Sequence, residues 1–588
     1  MIAARFDDLT PGAERCFELA EPVGLLEARR PGEVPGVLEA AEAAAARGLW
    51  VAGFVAYEAA PGLDPALAVR TAGPTEPFAD LPLAWFAVFA ERRDAEPLRP
   101  PAESAGRAEL AWRPSVDRAT YDAAVARIRE AIAAGETYQV NHTFRLRARI
   151  RGDERGLYRD LALAQRGAYA AYLAAGRYRV LSASPELFFR LEGDRITTRP
   201  MKGTAPRGRW LEEDEEIARR LVASAKDRAE NAMIVDLLRN DLGRISVPGG
   251  VGWEQLFRAE RYETVWQLTS TIVADLRPGT GLLEVFRALF PSGSVTGAPK
   301  VATMRLIAEL EDSPRGVYCG AVGYLAPPGS GEPRARFNVA IRTAVVDATS
   351  GLAEFGIGGG ITWDSSAEGE YEEALTKARV LAAPRTSFAL IETLRFSPAE
   401  GFADLAEHLE RLAASAAYFG FRYDRTEVLR ALEAAAPSEP ARVRLRLGRD
   451  GACSVEVGPA PAPAAGPVRV ALDDEPIDPA DVFWYHKTTR REPYDRRRRR
   501  RPDVDDVILV NTLGEVTETT IANLAVLLGG EWVTPPRESG LLAGTLRARL
   551  LREGRLRERR VRIEELRAAP SLALVSSVRG WREAVLVP

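Results

Sequence analysis

A chain of 588 residues is too long for one hydrophobic core, and ordinary domain sizes call for at least two independently packed units. Its 79 basic and 83 acidic residues leave a net charge of −4, so no global field favours nucleic acid or an anionic membrane surface. The 46% hydrophobic and 28% charged residues are the ordinary balance of a soluble globular protein.

The opening MIAARFDDLT has no basic flank before an apolar core, and no later stretch approaches the roughly 18 uncharged apolar residues of a spanning helix. Cys16, Cys319 and Cys453 are scattered and odd in number, which suggests neither a disulfide framework nor a zinc site. A cytoplasmic enzyme without membrane or nucleic-acid partners is the expectation. In the first hundred residues, the β-rich runs LWVAGFVAYEA and LPLAWFAVFA flank an Ala-rich helix around Pro35 to Gly48, and the polar segment ERRDAEPLRPPAESAGRAEL reads as a linker or long loop. From Ser115, DRATYDAAVARIREAIAAGE has apolar residues at helical spacing and stops at Gly135, after which TYQVNHTFRLRARI alternates as a strand. Gln139 falls near that junction.

YRVLSASPELFFRLEGDRITTRPMKGT reads as successive strands, followed by a charged helix from about Glu212 to Asn240. FGIGGGITWDSS reads as a glycine-rich turn between strand and helix, where exposed amides could hold an anion. The helix after it places Glu370, Glu373 and Lys377 at i, i+3 and i+7, on one face. A second acidic helix carries Glu230, and carboxylates from two helices suit a hard Mg²⁺ ion. The main domain boundary is expected at Ala383 to Ser387, before the strand FALIETLRF; PAPAPAAGP, between Gly458 and Pro467, reads as a joint between two lobes. Arg496 to Arg501 read as a solvated helix or loop, because the run lacks interleaved aromatics and lies in a net acidic chain.

Residues 1–383 resemble the chorismate-utilising enzymes, through TYQVN, SPE, PMKGT, SAKDRAENAMIVDLLRND, PSGSVTGAPK, YCGAVGY, AIRT, GIGGGI and EYEEALTKA in order. The resemblance implies an α/β and α+β anthranilate-synthase-component-I-like domain, with an N-terminal part to about 110 and a chorismate-binding part over 111–383. It implies Mg²⁺ bound through Glu230 and Glu373 with Glu370 close by, carboxylates held by Arg342, Lys377 and the amides of Gly359 and Gly360, and a pocket lined by Thr296 and Tyr318. Isochorismate synthases need a lysine base where this chain has Gln139, which disfavours activation of water. Anthranilate synthases typically have a small residue where this chain has Lys202, and a lysine there looks like the aminodeoxychorismate synthases, in which it acts as a nucleophile with Glu186 protonating the departing hydroxyl. Gln267 stands where many relatives carry a histidine. The segment around Leu25 to Glu27 is similar to the part of anthranilate synthases that forms a tryptophan feedback site. No cysteine suits a glutaminase, so the expected ammonia source is a separate glutamine amidotransferase subunit or free ammonia.

Residues 386–588 resemble the two-lobed fold-type IV pyridoxal-phosphate enzymes, of the D-amino-acid-aminotransferase kind, through IETLRF, AEHLERL, YHKTTRREPYD, LVNTLGEVTETTIANLAV, TPPRESGLLAGTLRARLL and SSVRG. The resemblance implies Lys487 as the cofactor lysine and Glu518 as the partner of the pyridine nitrogen. It implies Arg411, Gly544, Thr545 and Ser577 at the phosphate, Asn523 near the ring hydroxyl and Tyr494 packed by the cofactor. The expected function is amination of chorismate to 4-amino-4-deoxychorismate followed by elimination of pyruvate to p-aminobenzoate. The competing expectation is an anthranilate synthase fused to a branched-chain or D-amino-acid aminotransferase-like domain. A homodimer through the second domain is a family-level expectation.

Overall fold

The computed structural model describes residues 2–100, 110–150, 152–382, 387–462 and 466–588. Three stretches read above as linkers or boundaries lie partly outside the described residues: 101–109, 383–386 and 463–465. The chain divides into two compact units, Met1–Arg207 with Ile217–Thr386, and Gly208–Glu216 with Ser387–Pro588.

Every strand pair described in the first unit is antiparallel. One stretch of ladder runs through Gln139–Arg149, Leu352–Ile361, Thr343–Asp347, Tyr178–Ser184, Tyr169–Ala175 and Ile2–Asp8. The long strand Arg15–Ala28 carries it on into Ala84–Asp94, Trp50–Val55, Ala321–Leu325, Ala335–Val339 and Leu187–Glu192. Phe6, Phe17, Trp50, Phe54, Leu173 and Tyr324, drawn from both stretches, share one buried cluster, so the two pack face to face as a sandwich.

Helices cover the outer faces. Val34–Ala46, Ala225–Gly243 and Leu282–Leu289 pack on one, and Arg118–Ala133, Glu154–Gln165 and Ala367–Ala378 on the other. The helix Arg118–Ala133 follows its sequence pattern. Asp117 caps it by accepting the Thr120 amide at 2.8 Å, and Tyr121, Val125 and Ile128 are buried at helical spacing, each large side chain stabilising by about 1.5–3 kcal/mol.

Two expectations need correction. The charged stretch 212–240 is two helices, Leu211–Ala223 and Ala225–Gly243, because Ser224 leaves helical geometry and caps the second by accepting the Asp227 amide at 3.2 Å. The GIGGG run is the body of the strand Leu352–Ile361, with Gly359 paired to His142 and Gly360 to Asn141. Its glycines make room rather than a turn: a β-carbon on Gly356 would stand 2.2 Å from Tyr318 Cδ1, and one on Gly360 would stand 2.3 Å from Lys202 Nζ.

The second unit has two lobes. In the first, Gly401–Phe402, Leu390–Ser397, Ala441–Leu447 and Cys453–Pro459 form an antiparallel sheet under the helices Leu405–Phe419 and Arg425–Ala434. In the second, strands 506–510, 516–519, 523–528, 572–576, 580–586 and 468–472 close into a ring of mixed pairings. The pair Glu518 with Asn523 closes it.

Gly208–Glu216, within the stretch expected to belong to the first domain, is part of this second unit. Tyr418 Oη donates to Gly208 O at 2.6 Å, and Trp210 packs on Tyr485. The arginine run lies on the helix Glu492–Arg500, with Arg501 just past its end, and acids answer it. Arg497 and Arg500 reach Asp473 at 2.5 and 2.6 Å, Arg499 reaches Glu492, and Arg496 reaches Glu475. Among the described residues no helix is long and apolar enough to cross a membrane.

Candidate active sites

In the first unit a cavity of about 340 Å³ opens between the glycine strand and the helices Ala225–Gly243 and Ala367–Ala378. The SPE turn supplies Glu186, and the strand Met201–Pro206 supplies Lys202. Glu230 lines it from one helix, and Glu370, Glu373 and Lys377 line it from the other. Tyr318, Arg342 and Gly360 complete the expected set in the wall.

Glu186 is 3% exposed, and burial raises its pKa to about 7 against the opposing pull of Ser294 and Lys202. Ser294 Oγ donates to Glu186 Oε1 at 2.6 Å, which aims the carboxyl. A carboxyl that retains its proton near neutrality can act as a general acid. Burial lowers the pKa of Lys202, although Glu230 pulls the other way. A larger neutral fraction makes that amine a better nucleophile. Arg342 is driven down to about 10 by burial and donates to Lys377 O.

Lys377 donates to Gly358 O at 2.8 Å and pairs with Glu373 at 2.8 Å, holding the Glu373 carboxyl below its usual range. Burial raises Glu230 and Glu370, and Ser365 Oγ donates to Glu370 at 2.5 Å. Among the described residues no three acidic, histidine or cysteine side chains converge as a complete metal site. The three glutamates still face one cavity, a donor set suited to a hard cation that takes one or two carboxylates and fills its sphere from water or substrate.

Three expected residues stand behind the wall. Thr296 is fully buried and donates to Ser292 O at 3.0 Å. Gln139 is buried with Nε2 unpartnered, beside the place a Gly360 β-carbon would occupy. A β-carbon on Gly359 would stand 3.0 Å from Glu370 Oε2. Ser294 was not foreseen, although it lies two residues before Thr296 in PSGSVTGAPK. Gln267 also lines the cavity, its Nε2 donating to Thr204 Oγ1 at 3.0 Å.

In the second unit a cavity of about 260 Å³ collects Lys487, Glu518, Arg411, Tyr494, Asn523, Gly544, Thr545 and Ser577. The segment carrying Lys487 is pinned to the first lobe, Ile391 N donating to Lys487 O at 2.9 Å. Burial and the neighbouring Arg411 lower the Lys487 pKa to about 8. Burial raises Glu518 to about 8, although Leu542 N at 3.2 Å and Tyr494 Oη at 3.0 Å donate to it. A carboxylate so confined gains by facing a pyridinium nitrogen, whose charge would restore its ionisation.

At the other end stands an anion cup. The helix Thr545–Arg552 begins at Gly544 without a side-chain cap, leaving amide donors available. Arg411 is fixed by Glu392 through Nε at 2.9 Å and Nη2 at 2.6 Å. His408 bonds Glu392 through Nδ1 at 2.6 Å, Ser577 Oγ through Nε2 at 2.9 Å and Thr545 Oγ1 at 3.3 Å. Burial alone would raise Glu392, yet Arg411 and His408 hold it down to about 2. Glu392 and His408 were not singled out in the sequence, although both lie inside the quoted motifs IETLRF and AEHLERL. The Asn523 amide is spent on protein: Nδ2 donates to Glu518 at 3.3 Å and to Leu542 O at 2.8 Å, and Oδ1 accepts from Gly544 N at 3.0 Å. It ties the carboxylate end of the site to the cup. These residues fit pyridoxal phosphate, with an amine, an anion cup and a buried carboxyl set around one cavity.

The two units thus define an α/β chain with two lysine-bearing sites, one dominated by carboxylates and one with Arg411, His408, Thr545 and Ser577 gathered at one end. Residues 27–383 match the chorismate binding enzyme family, and the chain belongs to that family. Residues 389–587 match amino-transferase class IV. The chain is 41% identical over 286 residues to aminodeoxychorismate synthase component 1 of Salmonella typhimurium, covering 49% of this chain and 62% of that protein. It is 40% identical over 270 residues to anthranilate synthase component 1 of Aquifex aeolicus, covering 46% and 53%. It therefore spans less than two thirds of either relative. Anthranilate synthase component I of Streptococcus pneumoniae superposes with a TM-score of 0.52 at 25% identity, covering 62% of this chain and 91% of that one.

Proposed function

We propose that the chain converts chorismate to p-aminobenzoate in two consecutive steps, amination in the first unit and pyruvate elimination in the second. The observation that carries this reading is that Lys202 Nζ and the proton-retaining carboxyl of Glu186 face one cavity. Neutral Lys202 adds at ring C2, the double bonds shift, and the C4–O bond breaks as Glu186 gives its proton to the departing hydroxyl, releasing water. Ammonia then attacks C4, and the C2–N bond to Lys202 breaks as the double bonds return. Arg342 and Lys377 offer cationic donors to the substrate's carboxylates. Glu230, Glu370 and Glu373 would hold Mg²⁺, which would supply positive charge to a substrate carboxylate. The absence of a glutaminase-like cysteine, together with the name component 1 borne by the Salmonella relative, supports a glutamine amidotransferase partner as the ammonia source.

In the second unit pyridoxal phosphate supplies an electron sink for the C4 amine. Lys487 would hold the cofactor and take the C4 proton, Glu518 would keep the ring nitrogen protonated, and the cup of Arg411, His408, Thr545 and Ser577 would hold the phosphate. Loss of pyruvate aromatises the ring, which makes the step strongly downhill. The fusion favours elimination over transamination, since the first unit's product is the amine the second would accept.

The test is mass-resolved product analysis of the full chain with chorismate, Mg²⁺, ammonia and pyridoxal phosphate, beside peptide mapping after borohydride reduction. The expected result is p-aminobenzoate with equimolar pyruvate and a reduced cofactor adduct on Lys487. Anthranilate or isochorismate as product, or an adduct elsewhere, overturns the reading.

A further inference from the structure

The strand Ala441–Leu447 alternates strictly. Ala441, Val443, Leu445 and Leu447 are buried, while Arg442, Arg444 and Arg446 share the opposite face. The first two of those arginines line the cofactor cavity. Arg444 stands directly opposite Thr393, which also lines it, and Arg442 stands opposite Gly458. Gly458 leaves space for the guanidinium: a β-carbon there would come 3.0 Å from Arg442 Nη2.

Lys487 aside, charge accounting leaves three cations of the wall, Arg442, Arg444 and Arg579, without an ion pair among the described residues, and the first two share one strand face. The cavity wall carries six basic side chains, Arg411, Arg442, Arg444, Lys487, Arg491 and Arg579, against one acid, Glu518. Arg411 is neutralised by Glu392 and belongs to the cup, and Lys487 belongs to the cofactor. Arg491 is held by Thr520 O at 2.7 Å and lies over the Tyr494 ring. Among the described residues Arg442 and Arg444 form no ion pair, although Glu456 stands across from Arg444 on the outer strand. Arg444 Nε is buried without a hydrogen-bond partner. Two guanidinium groups without an ion pair on one face repel each other, the buried Arg444 Nε has a donor that an arriving anion would satisfy, and their planar forks match carboxylates.

We infer that Arg442 and Arg444 are the carboxylate clamp of the second site, selecting an amine that carries two carboxylates over a monocarboxylate amino acid. This rests on the reading that the second unit takes the dicarboxylate product of the first. Elimination divides those carboxylates between an aromatic acid and pyruvate, so neither product can bridge both arginines. The clamp thereby favours substrate over products.

The experiment uses the full chain loaded with pyridoxal phosphate, probed with isophthalate and with benzoate through the cofactor's absorption band. Isophthalate is expected to bind at least about tenfold tighter than benzoate, and Arg442→Gln and Arg444→Gln each to erase most of that preference. In turnover, each variant raises KM for aminodeoxychorismate by about tenfold or more and changes kcat little, Arg444→Lys restores part of the loss, and the cofactor spectrum stays as in the parent. Equal isophthalate affinity and equal KM in the double glutamine variant overturn the clamp while leaving the lyase reading intact. Arginine-dependent isophthalate binding without turnover of aminodeoxychorismate supports a dicarboxylate clamp and overturns the lyase reading.

Discussion

Lys202 and Lys487 are both amines whose pKa is lowered by burial, but the strongest neighbouring charge differs in sign. Around Lys202 stand Glu230, Glu373 and Glu370, which favour the charged ammonium and offset part of the desolvation, while Lys377 pulls the other way. Beside Lys487, Arg411 and Arg491 add to the desolvation while Glu392 and Glu518 oppose it, and the amine comes to about 8. A transient nucleophile that must leave again tolerates carboxylates that ease its reprotonation. A lysine that must bond a cofactor aldehyde and shuttle a proton benefits from staying neutral near physiological pH. Burial alone therefore does not distinguish the two amines; the balance of charges around each differs.

The contrast is broken most severely by removing either amine. Lys202→Ala should lower formation of aminodeoxychorismate by roughly three orders of magnitude or more, and Lys487→Ala should do the same to p-aminobenzoate formation, each leaving the other step unchanged in separate assays of the two half-reactions. Next comes Glu186→Gln, expected to slow amination by about a hundredfold or more. With free ammonia held constant, the parent's amination rate should fall as pH rises through about 7, because only protonated Glu186 can serve as the acid. Ser294→Ala removes a bond that stabilises the carboxylate, so that limb should move to higher pH. Gly360→Ala would press a methyl group against Lys202 Nζ and Gln139 Nε2, and should cost amination about tenfold to a hundredfold with elimination untouched.

The mildest change sharpens the comparison from the second unit. Glu392→Gln should weaken pyridoxal phosphate binding by about tenfold, read by equilibrium dialysis, because Arg411 and His408 lose their anchor. Glu392 is held at about 2, below its ordinary 4.5. The ionised form therefore contributes stability in full above about pH 4.5 and loses it as pH falls toward 2. The parent's second unit should loosen over that window, and the Gln variant's dependence there should flatten.

The helical face of Glu370, Glu373 and Lys377 could be read from spacing alone, as could the helix Arg118–Ala133, because a 3.6-residue period needs no tertiary information. The glycines of GIGGG could not be read correctly that way. Glycine usually punctuates, and only the three-dimensional approach of Lys202 and Tyr318 explains glycine inside a strand. The long strand Arg15–Ala28, exposed over its middle, carries little alternation and gave no signal. Gly208–Glu216 lies within the first unit's stretch of sequence yet belongs to the second unit, where it meets Tyr418 and Tyr485, both more than two hundred residues on. His408 and Ser294 went unremarked because each acts through a partner distant in sequence, Ser577 and Glu186.

The most direct measurement of the central claim is a mixing assay. Lys487→Ala chain is supplied with chorismate, Mg²⁺, ammonia and pyridoxal phosphate, its accumulated product is identified by mass, and Lys202→Ala chain is then added. The account predicts that the first chain accumulates aminodeoxychorismate alone and that the second converts it to p-aminobenzoate and pyruvate in equal amounts. Accumulation of anthranilate, or an intermediate that the second chain leaves unchanged, would contradict it.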